Sequence, residues 1–409
     1  MLLKLAWRNI WRNKRRTFIT VASIFFAVLF SIFMNSFQKG AWVRMLDNIV
    51  NYYYGYAQVH QKDYWSEKTI NEALELNDEL LELPTQIEGL EKIIPRLETF
   101  ALLSSGDHTS GMMIVGTEPE AEDALTNLKS RIIEGNYFNK KDKALLIAAG
   151  VKDLLKVNLG DTLVILTQGY HGVNAAGKYP IKGVVHFASP DLNRRMVYLP
   201  LDETQNLLGA YSMATTLALK LDDRDHLEKV IKQLRDKLDT ERYEIMDWQE
   251  MLPELVEAQK TDAAGNYVFL LVLYLIISFG IFGTILMMVK EREYEFGVLL
   301  SIGMSRRLLA ISTWIEILLM AFIGVILGML VALPIVQYFK VNPIDFSEFG
   351  EGMAETYAKW GFDPIFPTIM EASLFYSQAI LVLIISSVLA LFAIWKIYKL
   401  KPVKAMRER

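Results

Sequence analysis

Four long apolar runs constrain this chain more than any single residue. They occupy residues 17–38, 263–289, 308–339 and 372–395. At about 1.5 Å of rise per helical residue, a run of about 22 residues reaches about 33 Å, enough for a bilayer core of about 30 Å. Residues 39–262 separate the first two runs, whereas the later gaps are short. The expected architecture is an α-helical membrane protein with four transmembrane helices and a large mixed α/β extracytoplasmic domain between helices one and two.

Charge sets the expected topology. Residues 1–17 carry six basic and no acidic side chains, 290–307 four basic and three acidic, and 396–409 six basic and one acidic. Segment 39–262 is acidic, with 25 basic against 36 acidic residues, and 340–371 has two against six. Basic flanks mark the cytoplasmic side. The termini, 1–16 and 396–409, and the loop 290–307 are therefore expected inside, with 39–262 and the loop 340–371 outside. The first run is too long for a secretory signal core and no A-x-A site follows it, so it reads as an uncleaved span. There is no cysteine, hence neither a disulfide nor a lipobox.

Within residues 1–16, Arg8, Arg12 and Arg15 recur at helical spacing among Trp7, Ile10 and Trp11, the pattern of an interfacial amphipathic helix. Trp42, Met45, Leu46, Ile49 and Tyr53 extend the first helix outward as a stalk, and residues 248–261 lead into the second. Between the stalks, 68–92 reads as helix interrupted at Pro84, followed by helices at 144–156, 202–208 and 223–238. Strands are expected at 97–104, 111–116, 162–167, 180–187, 195–199, 214–220 and 243–247. Residues 118–204 are expected to form an inserted sub-domain.

The motifs exclude most chemistry. Residues 172–179, GVNAAGKY, approach a phosphate loop, but Tyr179 stands where a magnesium-binding hydroxyl belongs and no helix follows. His60, His108, His171, His186 and His226 are dispersed, with neither His–His i, i+4 spacing nor H-E-x-x-H, and no G-x-S-x-G elbow occurs. No catalytic and no metal residues are expected, and no nucleic-acid partner. Gly324-x-x-x-Gly328 gives the third span a small-residue face for close packing, and Gly280 and Gly283 suggest the same for the second. Glu316, about eight residues inside the third span, is the one charge within the apolar runs; it must reach the interface or bond to a neighbouring span. In 290–307, three glutamates, three arginines and Lys290 surround an apolar middle, Phe296, Val298, Leu299, Leu300 and Ile302, punctuated by Gly297 and Gly303. A plain connector needs neither; an amphipathic helix against the membrane, offering its far face to a partner, needs both.

That loop, KEREYEFGVLLSIGMSRR, resembles the cytoplasmic coupling loop of the FtsX-like permease family, membrane subunits of mechanotransmission-type (type VII) ABC transporters. LAWRNIWRNKRRT is similar to the family's amino end and KPVKAMRER to its closing segment; GVKDLLKVNLGDTLVIL and MVYLPLDETQNLL resemble segments of a MacB-like periplasmic core domain. FSIFMNSFQKG looks like the lipoprotein-releasing, LolC/LolE-type branch, and a large domain without a fused ATPase points the same way.

The resemblance implies a permease subunit that couples ATP hydrolysis by a separate ATPase to extraction and release of lipoproteins from the inner membrane. The implied partners are two copies of that ATPase, which bind ATP and Mg, a second permease, identical or related, and a periplasmic lipoprotein carrier; this chain itself binds no cofactor. Glu291, Arg292, Glu295, Gly297, Leu300, Gly303, Met304 and Arg306 would contact the ATPase. Phe30, Phe33, Met34, Phe37, Tyr267, Leu271 and Tyr274 would line a substrate cavity between spans one and two. Residues 168–180, expected as an extended excursion between strands, offer Gly169, Tyr170, His171, Val173, Tyr179 and Pro180 as the candidate chaperone-docking loop. Two other functions fit the same layout: a signalling permease that activates a periplasmic cell-wall hydrolase, and an efflux permease for peptides or drugs.

Overall fold

The four apolar runs are helices in the computed structural model, which describes residues 2–187, 189–346 and 365–407. They run over Lys14–Ile49, Pro253–Glu291, Arg306–Val341 and Ala372–Lys399. The first continues into a π-helical turn, Val50–Tyr54. Pro253 opens the second, where its fixed φ suits a first helical turn and its missing N–H is no loss. A short helix, Leu2–Arg12, precedes the first span and is broken from it at Asn13, so Arg8, Arg12 and Arg15 do not form the single continuous face their spacing suggests.

The chain divides into two compact units. One comprises Met1–Val43, Ala258–Asp345 and Ile365–Arg409; the other comprises Arg44–Glu257 and a segment, 346–364, of which only Phe346 is described. The expected loop 340–371 thus lies partly outside the described residues; on either side of the gap, Ile344–Asp345 pairs antiparallel with Ile365–Phe366.

In the first unit, the third span packs on the first through its glycines. A Cβ on Gly324 would sit 2.7 Å from Ile24 Cγ2 and 3.0 Å from the Val21 carbonyl oxygen; one on Gly328 would sit 2.9 Å from Val28 Cβ and 3.0 Å from the Phe25 oxygen. Small residues here allow the backbone approach that substitutes for a hydrophobic driving force in lipid. Gly280 and Gly283 are different: both are exposed, and a Cβ on Gly283 would meet nothing within 4 Å. The close packing expected of them is corrected, because a Cβ on Gly280 would make only an ordinary contact, 3.9 Å from Ser23 Oγ, and one on Gly283 none among the described residues. The C-terminal part of the first span's helix and the N-terminal part of the second are tied at Asp262, which accepts from Gln38 Nε2 at 2.8 Å and Trp42 Nε1 at 2.5 Å.

The second unit is built on ten strands: β1 (Ala57–Gln61), β2 (Leu90–Ser105), β3 (His108–Thr117), β4 (Ile132–Gly135), β5 (Leu145–Ala148), β6 (Thr162–Gln168), β7 (Asn174–Val185), β8 (Met196–Pro200), β9 (Thr216–Leu221) and β10 (Tyr243–Asp247). Their order is β10-β1-β9-β2-β3-β8-β5-β7-β4, and β6 bonds both β2 and β7. That last connection closes a ring of six strands, β2-β3-β8-β5-β7-β6. Leu103, Ile114, Leu146, Ile165, Val184 and Val197, one from each strand, belong to its core. Closure leaves the ring without a free edge. The open portion, β10-β1-β9 and the first half of β2, carries a separate core with helix Leu227–Lys237.

Two expected helices are corrected. Residues 68–92 break into short turns, among them Asp78–Leu81 and Leu83–Gln86, before Gly89, at φ +96°, turns the chain into β2. Asn77 caps the first of these turns through Leu80 N at 3.0 Å, which fixes a start rather than a continuation. In 144–156, Leu145–Ala148 is a strand and only Ala149–Leu155 is helix; four successive buried residues mark a strand covered on both sides. Segment 118–204 is inserted in topology, the chain leaving at Thr117 and returning at its register partner Pro200, but its strands join the common sheet, β8 pairing β3 and β6 pairing β2. Strands β1 and β4 were not expected.

Candidate coupling site

The connection between spans two and three is a helix hinged at both ends. The second span stops at Glu291, Arg292 takes a non-helical φ/ψ of −100°/7°, and the helix resumes over Glu293–Ser301. After it, Gly303 at φ +106° makes a turn that a side chain would strain. Ser305 then caps the third span, its hydroxyl accepting from Leu308 N at 3.3 Å. The helix is two-faced, as its apolar middle requires. Phe296 and Gly297 are buried and Leu299, Leu300 and Met304 pack with the core of the spans, while Tyr294 and Ile302 are exposed, Ile302 by 77%.

At the buried side lies a charge cluster that the sequence reading did not assemble. Glu316, fully buried, accepts from Arg292 Nη1 at 2.6 Å, from Arg16 Nη2 at 3.1 Å and from Asn9 Nδ2 at 3.4 Å. Arg292 Nε lies 3.3 Å from Glu295, which also takes Arg12 Nη2 at 2.6 Å. Arg16 lies 3.8 Å from Glu291, which accepts from Asn13 Nδ2 at 3.3 Å. Three arginines and three glutamates therefore close on one another. Burial alone would raise the Glu295 pKa, but the guanidinium groups of Arg12 and Arg292 outweigh it and hold the carboxyl below the usual range. A carboxylate at a helix centre in lipid costs about 2.5–3.5 kcal/mol on insertion scales; here two guanidinium groups neutralise it. A readable signal existed: one carboxylate in the third span, with arginines at the base of the first and at the loop's start.

The expected coupling residues divide accordingly. Glu291 is exposed, Glu295 half-buried and Arg292 buried in the cluster; Gly297, Leu300 and Met304 face inward and Gly303 faces out. Arg306 is a cap: its guanidinium donates to the Tyr398 carbonyl and, at 3.0 Å, to that of Leu400, at the end of the fourth span. Tyr294 and Ile302, not singled out as contacts, are the exposed apolar residues of this segment.

The seven expected cavity residues do not share one environment. Phe30, Tyr267 and Leu271 are exposed, by 56%, 71% and 62%. Phe33 packs edge-on against Phe339 and Phe37 against Phe366, so both are engaged with the end of span three and the short strand before span four. Tyr274 donates to Gln378 of span four, and Met34 is half-buried. The excursion expected at 168–180 is also corrected. Thr162–Gln168 and Asn174–Pro180 pair in unbroken register, leaving a short turn at 169–173. Tyr179 is buried and bonded to Glu203 at 3.1 Å, and Pro180 lies opposite Thr162. Gly169, Tyr170, His171 and Val173 make the turn; Val173 is exposed, and His171 N donates to Asn71 at 2.9 Å. The stretch resembling a phosphate loop is mostly β7, its register shared with β6.

A four-span membrane protein with a mixed α/β domain after its first span is the class so defined. The family profile for the FtsX-like permease C-terminal matches residues 267–402, and that for the MacB-like periplasmic core domain matches 17–237. The chain belongs to the FtsX-like, MacB-type family of ABC transporter permeases. It is 22% identical to the lipoprotein-releasing system transmembrane protein LolC of Xylella fastidiosa strain 9a5c over 329 residues, 76% of each chain. It is 19% identical to LolC of Neisseria meningitidis serogroup B over 310 residues, 72% of this chain and 71% of that one. Among solved structures, the periplasmic region of MacB from Actinobacillus actinomycetemcomitans matches 52% of this chain and 97% of its own, at 14% identity and a TM-score of 0.35. The extracellular domain of the transporter YknZ from Gram-positive bacteria matches 46% and 100%, at 11% and 0.33. As a permease of this family, the chain works with an ATPase.

Proposed function

We propose that this chain couples a separate ATPase to the release of lipoproteins from the inner membrane. The observation that carries the coupling is the hinged helix Glu293–Ser301, held from behind by Phe296 and the Glu316 cluster while Tyr294 and Ile302 stand exposed. The LolC relatives support the choice of cargo. In this reading both termini and the helix are cytoplasmic, the unit Arg44–Glu257 is periplasmic, and two ATPase copies that bind ATP and Mg serve a pair of permeases, identical or related. Closure of the ATPases pushes the helix and tilts the spans. Phe30, Tyr267 and Leu271, exposed on spans one and two, are the residues best placed to meet acyl chains. Each CH₂ withdrawn from the membrane costs about 0.8 kcal/mol, so extraction needs both ATP and an apolar receiver. The turn at 169–173 is the proposed carrier contact.

The test is co-purification from mild detergent, with mass spectrometry and ATPase assay, of wild type, Gly297→Pro and Ile302→Asp. Ile302 is preferred to the half-buried Met304, whose replacement by aspartate would disturb the core. Wild type should bring an ATPase that both variants lose, together with lipoproteins or a carrier. A co-purifying cell-wall hydrolase or efflux adaptor in place of lipoproteins would replace the cargo assignment. Variants that retain a fully active ATPase would refute the coupling role of the helix.

A further inference from the structure

Spans two and three are joined through a helix with a backbone break on each side, at Arg292 and at the turn containing Gly303. Tied by its backbone and by the packing of Phe296, Leu299 and Leu300 alone, such a helix can swing when pushed and pass force chiefly to span two. What opposes this is on its buried face. Arg292, at the first break, is bound through Glu316 to the third span and, through Glu316 and Arg16, to the base of the first. The N-terminal helix is tied in through Asn9, which donates to Glu316, and at the exposed rim through Arg12, which is bound to Glu295. The cluster therefore joins four elements that the backbone leaves independently jointed: the N-terminal helix, the foot of span one, the connecting helix and span three.

Stability alone is a poor account of it. Buried ion clusters can often be replaced by apolar residues without loss. Here Arg16 Nε, also buried, has no hydrogen-bond partner among the described residues, so the network is not even fully satisfied. An apolar side chain at 316 would insert into the membrane more readily than a glutamate. A network of directional charge-assisted bonds does what apolar packing does not: it fixes orientation.

We infer that the Arg12–Arg16–Arg292 and Glu291–Glu295–Glu316 cluster is a lock that makes the connecting helix, the N-terminal helix and the inner ends of spans one and three move as one body, with Glu316 its positioning residue. This rests on the coupling role proposed above for the helix. It adds that force on the helix enters spans one and three through side chains, and not only span two through the backbone.

The experiment is amide hydrogen exchange on the full chain in lipid nanodiscs, alone and with its co-purified ATPase, without nucleotide and with ATP plus vanadate. Glu316→Gln removes the central charge; Arg292→Met is the second variant should the first insert poorly, at a side chain too buried to make the ATPase contact expected of it, and it leaves Glu316 its bonds to Arg16 and Asn9. In the permease alone, either variant should speed exchange across 293–301 roughly tenfold, with span four unchanged. With ATPase bound, trapped nucleotide should alter exchange both in 293–301 and at the feet of spans one and three of wild type; in the variants the ATPase stays bound and the change is confined to 293–301. Variants that still transmit the change to span one, or that simply lose the ATPase while inserted, would overturn the lock. If no ATPase binds wild type, the proposed function falls instead. The permease-alone comparison then decides the lock by itself: equal exchange in wild type and variant overturns it.

Discussion

The buried pair Arg96–Glu122 should reveal an asymmetry when it is cut from either side. Both side chains are fully buried; Arg96 Nε and Nη2 donate to Glu122 at 2.8 and 2.7 Å, and Nη1 donates to the Tyr53 carbonyl at 2.6 Å. Glu122 also accepts from Thr117 and Thr126 hydroxyls at 3.1 and 3.3 Å. Burial by itself would lower the Arg96 pKa, yet Glu122 more than compensates and raises it. Removing one partner of a buried pair costs about 3–5 kcal/mol, because the other charge stays behind. Glu122→Leu strands a guanidinium that cannot shed its proton, so about 4 kcal/mol is expected. Arg96→Met strands a carboxylate that still accepts from the Thr117 and Thr126 hydroxyls, so its cost should be the smaller of the two. The double variant should lie within about 1–2 kcal/mol of wild type, since an apolar replacement of the whole pair is often nearly neutral. Local opening free energies from amide exchange in β2 and in the helix Pro119–Thr126 of the full-length chain would measure all three. A Glu122→Leu cost under about 1 kcal/mol, or a double variant as damaged as the two singles added together, would refute the reasoning.

Three further outcomes are expected. Burial of His60, whose Nδ1 lies 3.1 Å from the Thr215 carbonyl oxygen, depresses its pKa to about 4. From an unfolded value of about 6.5, its stabilising contribution is whole above that pH and lost as pH falls toward 4; it should drop by about 2 kcal/mol at pH 5, read as exchange protection in β1 and β9, and His60→Phe should abolish this term. Gly328→Val, forced against Val28 and Phe25, should weaken the packing of spans one and three by about 1–3 kcal/mol, measured by unfolding in detergent, whereas Gly283→Val should change it little. Gly303→Val, at φ +106°, should destabilise the connecting helix by about 1–3 kcal/mol, seen as faster exchange across 293–301.

What the sequence made readable followed from composition and period. Runs of about 22 apolar residues have few destinations besides a membrane, and strands such as Thr162–Gln168 and Tyr243–Asp247 lie where their patterns place them. Readings failed where tertiary context overrode local signal. Leu145–Ala148 is as apolar as a buried helix, and only its pairing to β7 and β8 decides the matter. Gly283 and Gly328 look alike in sequence; only the second has a neighbour. The loop 290–307 was legible because charge and apolar residues conflict within a few positions. Arg12, Arg16 and Glu316 were each visible, but some 300 residues separate the arginines from the glutamate, and no periodicity reports such a meeting.

In the six-strand ring, β3 and β8 run parallel, and Thr117 and Pro200, their last residues, are register partners. The chain therefore leaves for the ring's remaining strands and comes back at adjacent points, heading the same way. Neighbouring strands lie about 4.8 Å apart, so residues 118–199 amount to a cassette spliced in at a single seam. Engineered versions of the domain can exchange that cassette without re-pairing β10, β1, β9 and the first half of β2, provided the helix Pro119–Thr126 keeps Glu122 against Arg96. Size differences between permeases of this kind are then expected to concentrate at this seam, leaving the stretch from β2 back to β1 nearly constant in length.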